Sequence, residues 1–149
     1  MLRILVRTAS ALAVAASIAA CSSMETMKPM QDQSLYTRLG GKPAITAVVD
    51  DFIGNVAADS RINGRFANAN IPHLKMELVD QICAASGGPC TYTGKDMMTA
   101  HRGMNIRGPE FDALVEDLVK TLDKFKVPAK EKGELLGALG PLKPAIVGQ

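Results

Sequence analysis

The side chains able to ligate a metal or move a proton are concentrated in one part of this chain. His73, Cys83, Cys90 and His101 comprise both histidines and two of the three cysteines. Several chemistries compete for them. Together they are the residue types of a zinc site, but six residues separate the two cysteines, more than the two to four usual within a structural zinc pair. His101 could serve as a general base or beside a cysteine nucleophile, yet a reactive thiol must stay reduced near a positive group, and no orienting acid is identifiable. It could simply sit at a helix C-terminus, where partial positive charge is welcome. The remaining reading is a haem ligand. A single neutral imidazole on a helix, facing a pocket of Phe, Leu, Ile and Met, is what a five-coordinate haem iron requires. Methionine, bendable and polarizable, suits the irregular surface around a flat macrocycle. The chain has no C-x-x-C-H motif, so haem b would be held non-covalently.

The compartment bears on the cysteines. "MLRILVRTASALAVAASIAAC" opens with Arg3 and Arg7, continues with an apolar stretch and ends in small residues before Cys21. The stretch is too short to span a bilayer of about 30 Å and has the layout of a secretory signal. Its "SIAAC" ending resembles a bacterial lipoprotein signal, in which cleavage leaves a lipidated cysteine first. The expectation is a signal over 1–20, lipidation of Cys21, a polar tether over 21–33 and one domain over 34–149. Ser22 after Cys21 resembles outer-membrane sorting, should the host have two membranes. Export favours oxidation, so Cys83 and Cys90 are expected to form a disulfide. Two of the 17 Lys and Arg lie in the signal, leaving 15 against 15 Asp and Glu. A neutral mature chain without a basic stripe or interleaved aromatics gives no footprint for nucleic acid.

These residues must be positioned by helices. Ile45, Val48, Val49, Phe52 and Val56 share one helical face, as do Ile71, Leu74, Leu78, Ile82 and Ala85, with Asn70 as cap. A third face carries Phe111, Leu114, Val115, Leu118, Leu122 and Phe125 behind Pro109, and a fourth Leu135, Leu136 and Leu139. Gly40-Gly41, Gly87-Gly88-Pro89, Gly108-Pro109 and Gly140-Pro141 mark the breaks. No stretch alternates convincingly, so the fold class is all-α. His101 falls on a helix of roughly two turns, too short to hold itself together in water without packing or a ligand.

From Ser34 nearly to the C-terminus the chain resembles the group 1 truncated haemoglobins. The resemblance rests on "SLYTRLGG", "AVVDDF", Arg65-Phe66, "GGPCTYTG", "MTAHRGMNI" and "FDALVEDL", in order and at family spacing. It implies a two-over-two helical sandwich around haem, with the proximal helix largely reduced to a loop. By the same resemblance His101 is the proximal iron ligand and Phe66 packs on the haem. Phe52, Met97, Ile106, Phe111, Leu114 and Leu118 fall on positions lining the family pocket.

The distal side departs from the best-known members. Their "DFY" supplies a tyrosine hydroxyl to the bound gas; here the position is Ile53. Leu78 stands where a glutamine usually faces the ligand, with Leu74 one turn earlier. A missing donor weakens oxygen binding by ~1 to 3 kcal/mol. His73, just before Leu74, is expected on a solvent-facing flank, with bis-histidine ligation as the alternative; Tyr92 or water are further candidates to enter the pocket. The expected function is reversible binding of oxygen or another diatomic gas (nitric oxide, carbon monoxide), including oxygen transport. The alternatives are haem redox chemistry with a partner reductase, since no nucleotide fingerprint is present, and a disulfide-stapled interaction module without haem.

Overall fold

The computed structural model describes residues 33–149. The expected signal over 1–20, the lipidation site Cys21 and all but the last residue of the tether lie outside the described residues. Six helices follow: α1 Leu35–Arg38, α2 Gly41–Ala58, α3 Ile71–Ala85, α4 Met97–His101, α5 Gly108–Lys124 and α6 Ala129–Leu139. Two 3-10 turns, Asn63–Phe66 and Gly140–Ala145, complete the order. Among the described residues there is no strand, only an isolated bridge between Ile106 and Val147, and the fold is all-α. No described helix is long and apolar enough to cross a membrane.

The helices begin where the local chemistry places them. Asn70 caps α3 by accepting the His73 amide at 3.1 Å, and Asp96 caps α4 by accepting the Thr99 amide at 2.9 Å. Pro109 occupies the first turn of α5, where its missing N–H costs nothing. The centre of the fold is α2, which buries Ile45, Val48, Val49, Phe52, Ile53 and Val56 and packs against both α3 and α5. Val79, Ile82 and Cys83 meet it from α3, Ala113, Leu118 and Leu122 from α5, and Leu135 completes the core from α6. Leu74 and Leu78 on α3 are only partly buried and Ala85 is exposed. The amphipathic face of α3 is thus split between this core and a cavity.

The connection from α3 to α4 is held tightly at its start. Gly87 has φ +78°, and the Gly88 amide donates to Cys83 O at 2.8 Å, closing the helix end. A Cβ on Gly88 would stand 2.5 Å from Tyr36 Cδ2 and 2.7 Å from Cys83 Sγ, so only glycine lets these groups meet. Cys83 and Cys90 are joined through their sulfurs across this turn, with Cys83 wholly buried. The bond ties the end of α3 to the segment leading into α4.

Candidate functional site

A cavity of about 660 Å³ opens between α3 and α4, within the roughly 300 to 1,000 Å³ range of small-molecule and cofactor sites. Each wall comes from a different element. Phe52 and Ile53 enter from α2, Phe66 and Arg65 from the first 3-10 turn, and Leu74 and Leu78 from α3. Tyr92 to Lys95 form part of the rim; Met97, Ala100 and His101 come from α4, Met104 from the segment beyond it, and Leu114 from α5.

His101 is oriented by its own short helix. Its Nδ1 lies 2.7 Å from the Met97 carbonyl oxygen, one turn back. A carbonyl can only accept, so Nδ1 carries a proton, and in the neutral ring Nε2 keeps its lone pair. That is the tautomer a metal ligand needs, with the second nitrogen tied to a carbonyl that fixes the ring. The ligand type, the apolar walls and the size of the cavity together fit a flat, largely apolar iron macrocycle.

The wall made by α2 and α3 is apolar where the sequence leads one to expect it. Ile53 is buried, and Leu74 and Leu78 face the cavity one turn apart. The polar groups on the same side are engaged elsewhere. The Tyr92 hydroxyl donates to Lys95 O at 2.8 Å, and Gln81 Nε2 donates to Met97 Sδ at 3.5 Å. Burial pushes the Tyr92 phenol up, with the Glu77 and Asp96 carboxylates adding to it. His73 lines the rim with a side chain 60 % exposed and its Nε2 3.8 Å from Glu77 Oε1.

Three residues expected at the pocket lie elsewhere. Ile106 pairs with Val147, Phe111 lies beneath the Lys143 ammonium at 5.2 Å, and Leu118 is buried in the core. The helical phase of Phe111 and Leu118 is apolar, but two apolar environments compete for it, the cavity and the interhelical core. Conversely, Arg65, Ala69, Asn70, Glu77, Gln81, Thr93, Gly94, Lys95, Ala100 and Met104 line the cavity without having been assigned to it from the sequence. Glu77 and Gln81 were legible in principle, since they share the α3 face with Leu74 and Leu78 at helical spacing.

Arg65 is held along both edges of its guanidinium. Its Nε donates to Glu110 Oε1 and its Nη2 to Glu110 Oε2, each at 3.0 Å, while Nη1 donates to Met104 O at 2.7 Å. Glu110 also accepts the Arg107 amide at 2.8 Å, closing the N-terminus of α5. The Arg107 backbone and side chain, followed by Arg65, hold the Glu110 carboxyl at about 2, well below its usual range. The zinc alternative has no counterpart in the structure: Cys83 and Cys90 are bonded to each other, and no group of three or more metal-ligating side chains occurs among the described residues.

Comparison with known proteins agrees with this architecture. A sequence model of the bacterial-like globin family matches residues 34–147. A group 1 truncated hemoglobin from Mycolicibacterium paratuberculosis is 38 % identical over 113 residues, covering 76 % of this chain and 83 % of the relative. The crystal structure of the truncated hemoglobin from Tetrahymena pyriformis, Fe(III) form, superposes with a TM-score of 0.76 at 33 % identity, covering 78 % of this chain and all of that one. The 2/2 hemoglobin from a Synechococcus species, solved with covalently attached heme, gives 0.69 at 33 % identity, covering 72 % and 91 %.

Proposed function

The chain belongs to the bacterial-like globin family, and from that premise we propose that His101 holds the iron of a non-covalently bound haem b and that the protein's work is reversible binding of a diatomic gas. Bound through one imidazole, haem supplies an iron with an open coordination position for such a gas. The observation that carries this reading is the Nδ1 to Met97 O hydrogen bond at 2.7 Å, which leaves Nε2 of a cavity-lining histidine free to coordinate. Phe66 and Leu114 offer apolar contact to the macrocycle, and Met97 and Met104 fill its irregular margin. Neither Cys83 nor Cys90 lines the cavity, which supports non-covalent attachment.

The apolar side formed by Ile53, Leu74 and Leu78 favours a function that does not depend on a strong hydrogen bond to the gas. Oxygen is then held weakly, and nitric oxide or carbon monoxide, which need such a bond less, are held comparatively well. The leader's pattern supports export and anchoring through Cys21, facing the periplasm in a host with two membranes, where the Cys83–Cys90 disulfide would persist. Redox turnover would need a separate reductase.

The test is the absorption spectrum of the chain from Ser22 onward, loaded with haem, in ferric and ferrous forms beside His101→Ala. We expect a five-coordinate ferrous band that shifts on adding carbon monoxide and is lost in the variant. A six-coordinate ferrous spectrum abolished by His73→Ala would replace gas binding with bis-histidine redox chemistry. Failure of the wild type to retain haem would leave only the disulfide-stapled module.

A further inference from the structure

The segment that follows His101 has little to hold it in place on its own. α4 ends at His101, Gly103 has φ +79° with open space where a Cβ would be, and Asn105 has φ +49°. Backbone of this kind samples several conformations unless something outside it fixes one. Yet Met104 folds back, its amide donating to His101 O at 3.0 Å. Two groups fix the segment from outside: the C-terminal residues, through the Asn105 amide to Gln149 O and the Gly148 amide to Ile106 O at 2.9 Å, and, at Met104 itself, Arg65, whose Nη1 donates to the Met104 carbonyl. The same guanidinium is anchored at its other edge by the forked pair to Glu110, a carboxylate only 9 % exposed and itself bound to the Arg107 amide.

We propose that Arg65 is a positioning residue for the proximal histidine: it clamps the 102–107 connection to the N-terminus of α5 and so sets the seat of the His101 imidazole against the iron. This rests on the assignment of His101 as the iron ligand. The connectivity is specific to arginine. A planar guanidinium presents donors along two edges at once, so one group can grip a carboxylate with one edge and a carbonyl with another. Lysine, with a single ammonium on a flexible stem, can keep the charge near Glu110 or reach Met104, but does not reproduce the fork. Because Arg65 precedes Phe66 on the turn that lines the cavity, the clamp also links that wall to the proximal one.

The experiment uses haem-loaded protein, comparing wild type with Arg65→Lys and Glu110→Gln. Three quantities are read: the iron–histidine stretching band of the ferrous form by resonance Raman, the rate of haem transfer to excess apomyoglobin, and hydrogen exchange at the Met104 amide. For Arg65→Lys we expect a shifted or broadened iron–histidine band, haem loss about 3- to 10-fold faster, the equivalent of about one net hydrogen bond, and faster exchange at Met104. Glu110→Gln should move all three in the same direction by less, and it carries the test should Arg65→Lys fail to fold. A lowered melting temperature with the band, the transfer rate and the Met104 exchange at wild-type values in the variants would overturn the proposal and leave Arg65 a structural ion pair. A wild type that takes up no haem, or whose iron–histidine band survives His101→Ala, would overturn the underlying assignment instead.

Discussion

His101 shows how one side chain can be readable in sequence while its surroundings are not. Its place within "MTAHRGMNI" singled it out, and the structure puts it on the cavity wall with Nδ1 on the Met97 carbonyl. Across the cavity, Leu78 lines the α3 wall, facing the gas in the proposed function, and the Gln81 amide on the same helix is turned to Met97 Sδ. Leu78→Gln should therefore raise oxygen affinity by ~1 kcal/mol or more, a slowing of oxygen dissociation of about fivefold or greater, with a smaller effect on carbon monoxide. Stopped-flow measurement of both gases checks this. An unchanged oxygen off-rate would show that Gln81, Tyr92 or a water already acts as donor. The pairing of Arg65 with Glu110, by contrast, escaped notice because each looks like an ordinary solvated charge in a linear sequence. Nothing local announces that residues so far apart in the chain share a hydrogen-bonded fork.

At the scale of elements, the helices were legible because their signals are local: the Asn70 cap, Pro109 in a first turn and the glycine breaks all act within a few residues. The division of apolar faces was not, because helical periodicity gives a direction from the axis and leaves open which neighbour lies there. Phe111 and Leu118 share a face with Leu114, but only Leu114 reaches the cavity. The joint between α3 and α4 matters most for the site, since it sets how α4 approaches the wall opposite. There the Cys83–Cys90 bond closes a short loop over Gly88, and Tyr36 packs onto that glycine. Cys90→Ser should cost roughly 2 to 3 kcal/mol in the chain-entropy account, whose mechanism is model-dependent. It should also speed hydrogen exchange through residues 91–96 before it affects α2 or α5. Denaturant melts with site-resolved exchange distinguish this from uniform destabilisation, the outcome that would show the bond does not act through the joint.

For the molecule as a whole, two carboxyls on α5 pull stability in opposite directions with pH. Glu110, held at about 2 against an ordinary value near 4.5, contributes stability that is full above its unfolded range and lost as pH falls through that window. Asp117 behaves in reverse. It is 6 % exposed, its Oδ2 has no hydrogen-bond partner among the described residues, and burial, with the Asp59 carboxylate next, pushes its carboxyl up despite Lys120 and Arg61 nearby. Folding thus favours the protonated form, and the stability this contributes is full below the ordinary value near 3.8 and lost as pH rises through the elevated one. When ionised, Asp117 is a buried charge whose Oδ2 accepts no hydrogen bond from the described residues. Asp117→Asn keeps the shape and removes the charge, so it should stabilise the protein by about 1 kcal/mol or more at pH 7 and by less at pH 4, nearer the range in which the native carboxyl takes up its proton. Thermal melts of both proteins at the two pH values decide it. An equal change at both would mean that Asp117 keeps its charge solvated in the folded protein, and the pH dependence of stability would then belong to Glu110 and the surface carboxylates alone.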